Sequence, residues 1–227
     1  MKLIICNKEY IIDDNKIKRD SLLSILTYIK TKLDNTLSFR SGCRSGVCGS
    51  CAIRVNGVEK LACKTHLEDG DIVEPLKNTT IIKDLVVDIS SQALCIKKAK
   101  ANLEEKSNQT ITSLDQKNID LQSNCILCNS CYSSCPVFEV NKDFIGPFAL
   151  TRAYRYVNDK KEDNTQTKID AVQKDGIWEC TLCGNLYMVC PERIDIKNDI
   201  MMLRKQSAQM GYSDPNMGSF DGGFNTN

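Results

Sequence analysis

Histidine is almost missing from this sequence: His66 is the only one. A Rieske centre and a Cys2His2 zinc finger each need two histidines, so both are excluded. An excess of charge of either sign is missing too. Thirty basic residues face twenty-nine acidic ones, a formal net charge of +1. That balance gives no ground for nucleic acid or an acidic surface as partner. No apolar run approaches the roughly 18–20 residues of a spanning helix. The first residues, Met1-Lys2-Leu3-Ile4-Ile5-Cys6-Asn7-Lys8, turn polar too soon for a signal peptide. The expectation is a protein that is soluble, or held at a membrane by a partner.

Cysteine, by contrast, is abundant, with thirteen copies. Without a secretory signal, metal or redox chemistry is a stronger reading than disulfides. Only Cys6 and Cys95 lie outside three tight clusters. Cys125, Cys128, Cys131 and Cys135, followed by Pro136, spell C-x2-C-x2-C-x3-C-P. In two-cluster ferredoxins three of those thiolates share one cluster and the fourth serves the other. Such a run demands a partner run. Cys180, Cys183 and Cys190, followed by Pro191, keep the spacing with one defect, since Leu186 holds the third cysteine position.

The remaining cluster, Cys43, Cys48 and Cys51 with Cys63 beyond, has the plant-type [2Fe–2S] spacing C-x4-C-x2-C. Gly42, Gly46 and Gly49 suit a loop wrapped closely round sulfur. A zinc knuckle is the bland alternative, and the four-residue gap fits it poorly.

The surrounding sequence fits these centres. Residues 1–20 read as a hairpin, pairing Leu3-Ile4-Ile5 with Tyr10-Ile11-Ile12. Ser21 caps a helix expected over Leu22–Leu33. Ala52–Val55, the turn Asn56-Gly57, Val58–Cys63 and Asp71–Leu76 complete a small sheet. Ile82 to Ile96 reads at helical spacing. The polar stretch 97–123 reads as a solvated connection carrying a short helix. From Asn124 onward the chain reads as helical. Gly146-Pro147 opens one helix and Asp195 caps another, with Ile196, Ile200 and Leu203 inward. The fold class is therefore α+β: an N-terminal β-grasp plant-type [2Fe–2S] ferredoxin domain, then an all-helical bacterial-type two-cluster ferredoxin domain. The expected divisions are 1–95 for the first domain with its trailing helix and 96–123 for a polar linker. The helical domain follows over 124–206, and 207–227 reads as a loose tail.

The order of these cysteine blocks resembles the iron–sulfur subunit of the succinate dehydrogenase and fumarate reductase family. Leu37-Ser38-Phe39-Arg40, Leu61-Ala62-Cys63-Lys64-Thr65, Asp84-Leu85-Val86-Val87-Asp88, Phe144-Ile145-Gly146-Pro147 and Gly176-Ile177-Trp178-Glu179-Cys180 also look like that family's segments. The resemblance covers about residues 1–205. It implies an oxidoreductase subunit that binds neither dicarboxylate nor flavin. Such a subunit relays single electrons between an FAD-containing succinate/fumarate subunit and a quinone-reactive membrane anchor, in the tricarboxylic acid cycle or anaerobic respiration. The implied location is peripheral, at the cytoplasmic face of the inner membrane through partner subunits. Position by position, Cys43, Cys48, Cys51 and Cys63 would hold [2Fe–2S]. Cys125, Cys128, Cys131 and Cys190 would hold [4Fe–4S]. Cys135, Cys180 and Cys183 would hold a third cluster.

There the sequence departs from the family. The common members lack a cysteine at the Cys183 position and have one at the Leu186 position. Three thiolates favour [3Fe–4S]; a second [4Fe–4S] completed by a displaced non-cysteine ligand, or a disrupted site, are the alternatives. Pro136, Val137, Thr181 and Arg204 fall where the family places a quinone. Trp178 reads as an ordinary buried aromatic and His66 as a surface or hinge residue. The competing functions are the iron–sulfur subunit of a methylmenaquinol-type fumarate reductase, a free-standing multi-cluster ferredoxin and a structural zinc protein.

Overall fold

A computed structural model describes residues 1–13 and 21–215. The stretch 14–20 of the expected hairpin region and the tail from 216 to 227 lie outside the described residues. The first half is strand-rich. Strands β1 (Lys2–Ile5), β2 (Lys8–Ile11), β3 (Ala52–Val55), β4 (Val58–Leu61) and β5 (Ile72–Glu74) form one sheet. Its order is β2-β1-β5-β3-β4, with β1 and β5 parallel and the other pairs antiparallel. Helix α1 (Leu22–Tyr28) starts where the Ser21 hydroxyl accepts the Ser24 N–H, and it runs on as a wider π turn over Ile29–Leu33. Its apolar spacing puts Leu22, Ile25, Leu26 and Ile29 against Leu3, Ile5 and Val73, all nearly or wholly buried.

The expected helical stretch from Ile82 is instead a hairpin, β6 (Ile81–Lys83) and β7 (Val86–Val87), followed by helix α2 (Ser91–Lys98). The cause is tertiary. Asp84 turns the chain at φ +48, and its carboxylate accepts the Ser38 N–H while Ser38 O accepts the Leu85 N–H. Leu85 and Val87 then enter the first core. Helix α2 belongs to the other core, because Cys95, Ala99 and Ala101 are buried there.

The second half is helical. It contains α3 (Ser113–Ser123), α4 (Ser130–Ser133), α5 (Pro136–Val140), α6 (Pro147–Val157), α7 (Gln166–Ala171), α8 (Asn185–Val189) and α9 (Ile196–Gln209). Phe144, Phe148, Leu150, Ile169, Ile177, Ile200 and Leu203 fill its core. Asp195 caps α9 by accepting the Asn198 N–H. Helix α9 overruns the expected start of the tail: Ser207 is fully buried, and the Tyr212 hydroxyl donates to Asp170 at 2.7 Å.

The stretch read as a solvated linker is pinned over part of its length. Lys168 and Glu162 form an ion pair of 3.0 Å with both side chains buried. Lys168 also donates to the carbonyls of Lys100 and Asn102, and Glu162 accepts the N–H groups of Glu104 and Glu105. The polar composition of the stretch partly reflects these partners. A buried pair of this kind needs the further hydrogen bonds to offset desolvation.

The two halves meet where Ile126 and Cys128 pack against the first core, and on polar contacts. The Ser133 hydroxyl donates to buried Glu59 of β4 at 2.6 Å and accepts the Lys77 N–H at 2.8 Å. The Asn78 amide donates to the carbonyls of Tyr132 and Ser133. Ser133→Ala leaves a buried carboxylate oxygen without its donor. A loss of about 1–3 kcal/mol is expected, read as a lower melting temperature. An unchanged melting temperature would show that this contact contributes nothing.

Candidate functional site

The first thiol set lies on the loop between α1 and β3, with Cys63 on the 3-10 turn after β4. Cys48 Sγ accepts the Cys43 N–H, and Cys43 Sγ accepts the Ser45 N–H, both at 3.4 Å. The Ser45 hydroxyl and N–H pull the exposed Cys43 thiol down to about 6. Burial pushes Cys51 up to about 11, and charge on Cys63 and Cys48 adds to the shift. The set therefore has one wet thiol and one dry one, with Cys63 and Cys48 beside the dry one.

Cys125, Cys128, Cys131 and Cys190 line a single hollow with almost wholly apolar walls, among them Phe148, Ile194 and Ile196. The polar residues in that wall are Asn129, Ser130, Thr151 and Glu192. Burial pushes Cys125 up to about 11, raises Cys128, and holds Cys131 well above the ordinary thiol range. Charge on Cys128, Cys125 and Cys190 adds to the Cys131 shift, so these sulfurs are neighbours. Crowded dry thiols do not ionise by themselves; a cationic metal centre reverses that preference by binding the thiolates. The donor set and its dry surroundings fit an iron–sulfur cluster. Among the described residues, no three His, Cys, Asp or Glu side chains are grouped to hold a single metal ion.

In the third set Cys135 is buried, Cys180 half-buried and Cys183 exposed. Burial raises Cys135, and charge on Cys180 and Cys183 raises it further. Burial raises Cys180, while the Arg204 charge opposes the shift. The Phe138 N–H donates to Cys135 Sγ and the Leu182 N–H to Cys180 Sγ, each at 3.4 Å. The backbone repeats itself here. Leu127 and Asn129 have φ of +54 and +66, and Leu182 and Gly184 have +53 and +76. Each loop then enters a short helix whose second residue is Cys131 in α4 and Leu186 in α8. Leu186 is 3% exposed. The position in this loop that matches Cys131 is therefore a buried apolar side chain.

The three sets are contiguous. A Cβ on Gly49, beside Cys48, would sit 2.8 Å from Ile126 O and 2.9 Å from Cys128 Cα, so the first loop rests directly on the second. At φ +69, Gly49 is also in a conformation that disfavours a side chain. Cys131 in α4 and Cys135, the cap of α5, are buried in the same core, which joins the second set to the third.

The expected quinone residues are placed differently from one another. Pro136 and Thr181 are exposed, and Val137 is half-buried. Arg204 is turned inward: its guanidinium donates to the carbonyls of Ile177, Trp178 and Cys180 and stands 5.5 Å from the Trp178 ring centre. It clamps the backbone that leads into Cys180, so it does not present a free cation to a ligand. Trp178 is half-buried and donates to Gln173; His66 is exposed. Sequence reasoning missed Asp199, which is 1% exposed and accepts from Gln122 and Thr151. An acidic residue at helical spacing among Ile196, Ile200 and Leu203 was the available signal.

Two family models match in the same order as these sets: a 2Fe-2S iron-sulfur cluster binding domain over residues 6–94 and a 4Fe-4S dicluster domain over 122–194. The fumarate reductase iron-sulfur subunit of Mycobacterium tuberculosis is 38% identical over 77% of this chain and 76% of its own. The chain belongs to the fumarate reductase iron–sulfur subunit family. It is an iron–sulfur electron-transfer subunit of this oxidoreductase family. The fumarate reductase iron-sulfur subunit of Haemophilus influenzae is 36% identical over 83% of this chain and 82% of its own. The 8-methylmenaquinol:fumarate reductase iron-sulfur subunit of Wolinella succinogenes is 34% identical, over 90% of this chain and 69% of its own. Among solved structures, a chain of the Mycobacterium smegmatis Sdh1 complex in the apo form has the same fold. Its TM-score is 0.81 at 21% identity, covering 93% of this chain and 97% of that one.

Proposed function

We propose that this subunit relays single electrons between an FAD-containing succinate/fumarate subunit and a quinone-reactive membrane anchor. The observation that carries the reading is the adjacency of successive thiol sets, through Gly49 against Cys128 and through the single turn of α4, which carries Cys131 and leads to Cys135 in the same core. In finer terms, the strand-rich half is a β-grasp ferredoxin domain and the helical half a two-cluster ferredoxin domain. Cys43, Cys48, Cys51 and Cys63 hold [2Fe–2S]; Cys125, Cys128, Cys131 and Cys190 hold [4Fe–4S]; Cys135, Cys180 and Cys183 hold [3Fe–4S]. When bound, such clusters accept and give up electrons at potentials set by ligation, hydrogen bonds to sulfur and exposure. The N–H groups of Ser45, Phe138, Leu182 and Ile194 aim at ligand sulfurs. The apolar hollow keeps water from the middle set. No described helix is long and apolar enough to cross a membrane. Attachment through the anchor, at the cytoplasmic face, is part of the proposal.

Copurification of tagged subunit followed by turnover assays tests this. A flavoprotein and an anchor should copurify, and the complex should interconvert succinate and fumarate with a quinone. The isolated subunit should turn over neither compound with a dye. Turnover by this polypeptide alone would remove it from the role of a relay. The likeness to the 8-methylmenaquinol enzyme's subunit over 90% of the chain supports a second reading, as part of a methylmenaquinol-type enzyme. Methylmenaquinol in the same assay separates the two.

A further inference from the structure

Three carboxyls are buried in the described part of the helical half: Asp159 pairs with Arg155 and Glu162 with Lys168, while Asp199 has no such ion pair. Asp199 is 1% exposed on α9. One oxygen accepts from the Gln122 amide at 2.8 Å, and the other accepts from the Thr151 hydroxyl at 2.9 Å. Both partners are neutral. Buried carboxylates ordinarily have a cationic partner, because neutral hydrogen bonds offset only part of the desolvation. Thr151 has a second neighbour: it forms part of the wall of the hollow that Cys125, Cys128, Cys131 and Cys190 line. The carboxyl therefore stands one side chain behind that wall.

We propose that Asp199 is a proton-binding site whose occupancy is linked to the redox state of the centre held by Cys125, Cys128, Cys131 and Cys190. The inference rests on the ligand reading proposed above. An electron added inside the hollow brings negative charge toward the carboxylate through a dry wall. Like charges at short range in low dielectric repel strongly. The carboxylate relieves the repulsion by taking one proton from solvent and becoming neutral. One electron enters the centre, one proton enters Asp199, and the net charge of the region is unchanged.

The surroundings suit such a role. Burial pushes the carboxyl up to about 6, against the pull of the two hydrogen bonds, and the charge of Asp195 on the same helix pushes in the same direction. From α3 it faces Gln122. From α6 it faces Thr151 and Tyr154, whose phenol is raised first by burial and then by the Asp199 charge. Of the arginines of α6, Arg152 places its charge near Cys125 with its buried Nε unbonded, and Arg155 binds Ser123 and Asp159. On α7, Lys168 is closed off with Glu162. The turn Gln173–Ile177 carries Lys174 and Asp175, neither of which shifts Asp199, and α8 carries no charged residue.

The test is a redox titration of the purified complex, followed by EPR, between about pH 5 and about pH 9. A reduced [4Fe–4S] signal must be seen first; its absence would overturn the ligand reading and this inference with it. With the signal present, the midpoint potential should fall as pH rises above about 6, because the oxidised state sheds its proton first. It should level off where the reduced state is ionised as well. Asp199→Asn should make the potential independent of pH. A reduced-minus-oxidised infrared spectrum should show a protonated carboxyl band that the variant lacks. Thr151→Val removes one hydrogen bond to the carboxylate at nearly constant volume and should move the sloping window to higher pH. A flat wild-type potential with the cluster present, or a slope that survives in Asp199→Asn, would overturn the proposal.

Discussion

Leu186→Cys should convert the third centre from three irons to four. Leu186 is the second residue of α8, as Cys131 is of α4, and the loops before both helices share the same pair of left-handed residues. A leucine has no lone pair for iron. A thiol at that buried position would complete the C-x2-C-x2-C-x3-C-P run, with Cys183 already present. Iron content should rise from about nine to about ten per chain, the totals for the two cluster sets. The oxidised [3Fe–4S] EPR signal should vanish. Quinone-linked electron transfer should slow as the terminal potential falls, since potential follows cluster type and charge. Cys183→Ser should instead destroy or destabilise the third centre. If the oxidised signal persists unchanged in Cys183→Ser, Cys183 is not a ligand and the register argument fails. Wild-type protein with ten irons and no oxidised signal would mean that a non-cysteine group already fills the fourth corner.

Gly146→Ala should cost about 4 kcal/mol and strip iron from the helical half. Gly146 has φ +91 and ψ 167, a region essentially reserved for glycine. A Cβ there would lie 2.2 Å from Tyr132 Cζ. The Tyr132 ring cannot swing aside, because it is 3% exposed and packed against Phe138 and Phe148 with centroids 4.8 and 4.5 Å away. Backbone strain and overpacking each typically cost about 1–3 kcal/mol. Tyr132 follows Cys131 directly, so any shift of the ring is passed to that ligand loop. Melting temperature and iron content after reconstitution read the outcome. A variant as stable and as iron-rich as wild type would show that the Tyr132 packing is soft. Gly146→Ala with Tyr132→Ala separates the two causes, since it removes the ring clash and keeps the backbone strain.

The cysteine runs were legible because cysteine spacing is a property of neighbouring residues. Gaps of two, three and four residues already limit which sulfurs can share a loop. The α1 stripe and the Asp195 cap were legible for the same local reason. The hairpin at residues 81–87 was not, because a short apolar run has no decisive period. It was settled by Asp84 and Leu85 bonding to Ser38, far back along the chain. The pinned stretch around residues 100–107 was missed in the same way. Its polarity looked like solvation until Lys168 and Glu162 appeared as buried partners. Arg204 was read by position as a quinone residue. Its commitment to three backbone carbonyls depends on where α9 packs.

By itself the sequence showed the three cysteine runs, their order, and a leucine where the last run would have its third cysteine. Each of these is written in residue identity and short spacing, and no long-range contact can alter them. The tertiary structure brought Cys190 into one hollow with Cys125, Cys128 and Cys131, a grouping that the family resemblance implied and spacing did not. It decided that the first loop rests on the second at Gly49, and that Asp199 stands behind Thr151. These are meetings of segments distant in the chain. Which of them form depends on how two apolar cores bury their surface together, and residue spacing carries no information about that.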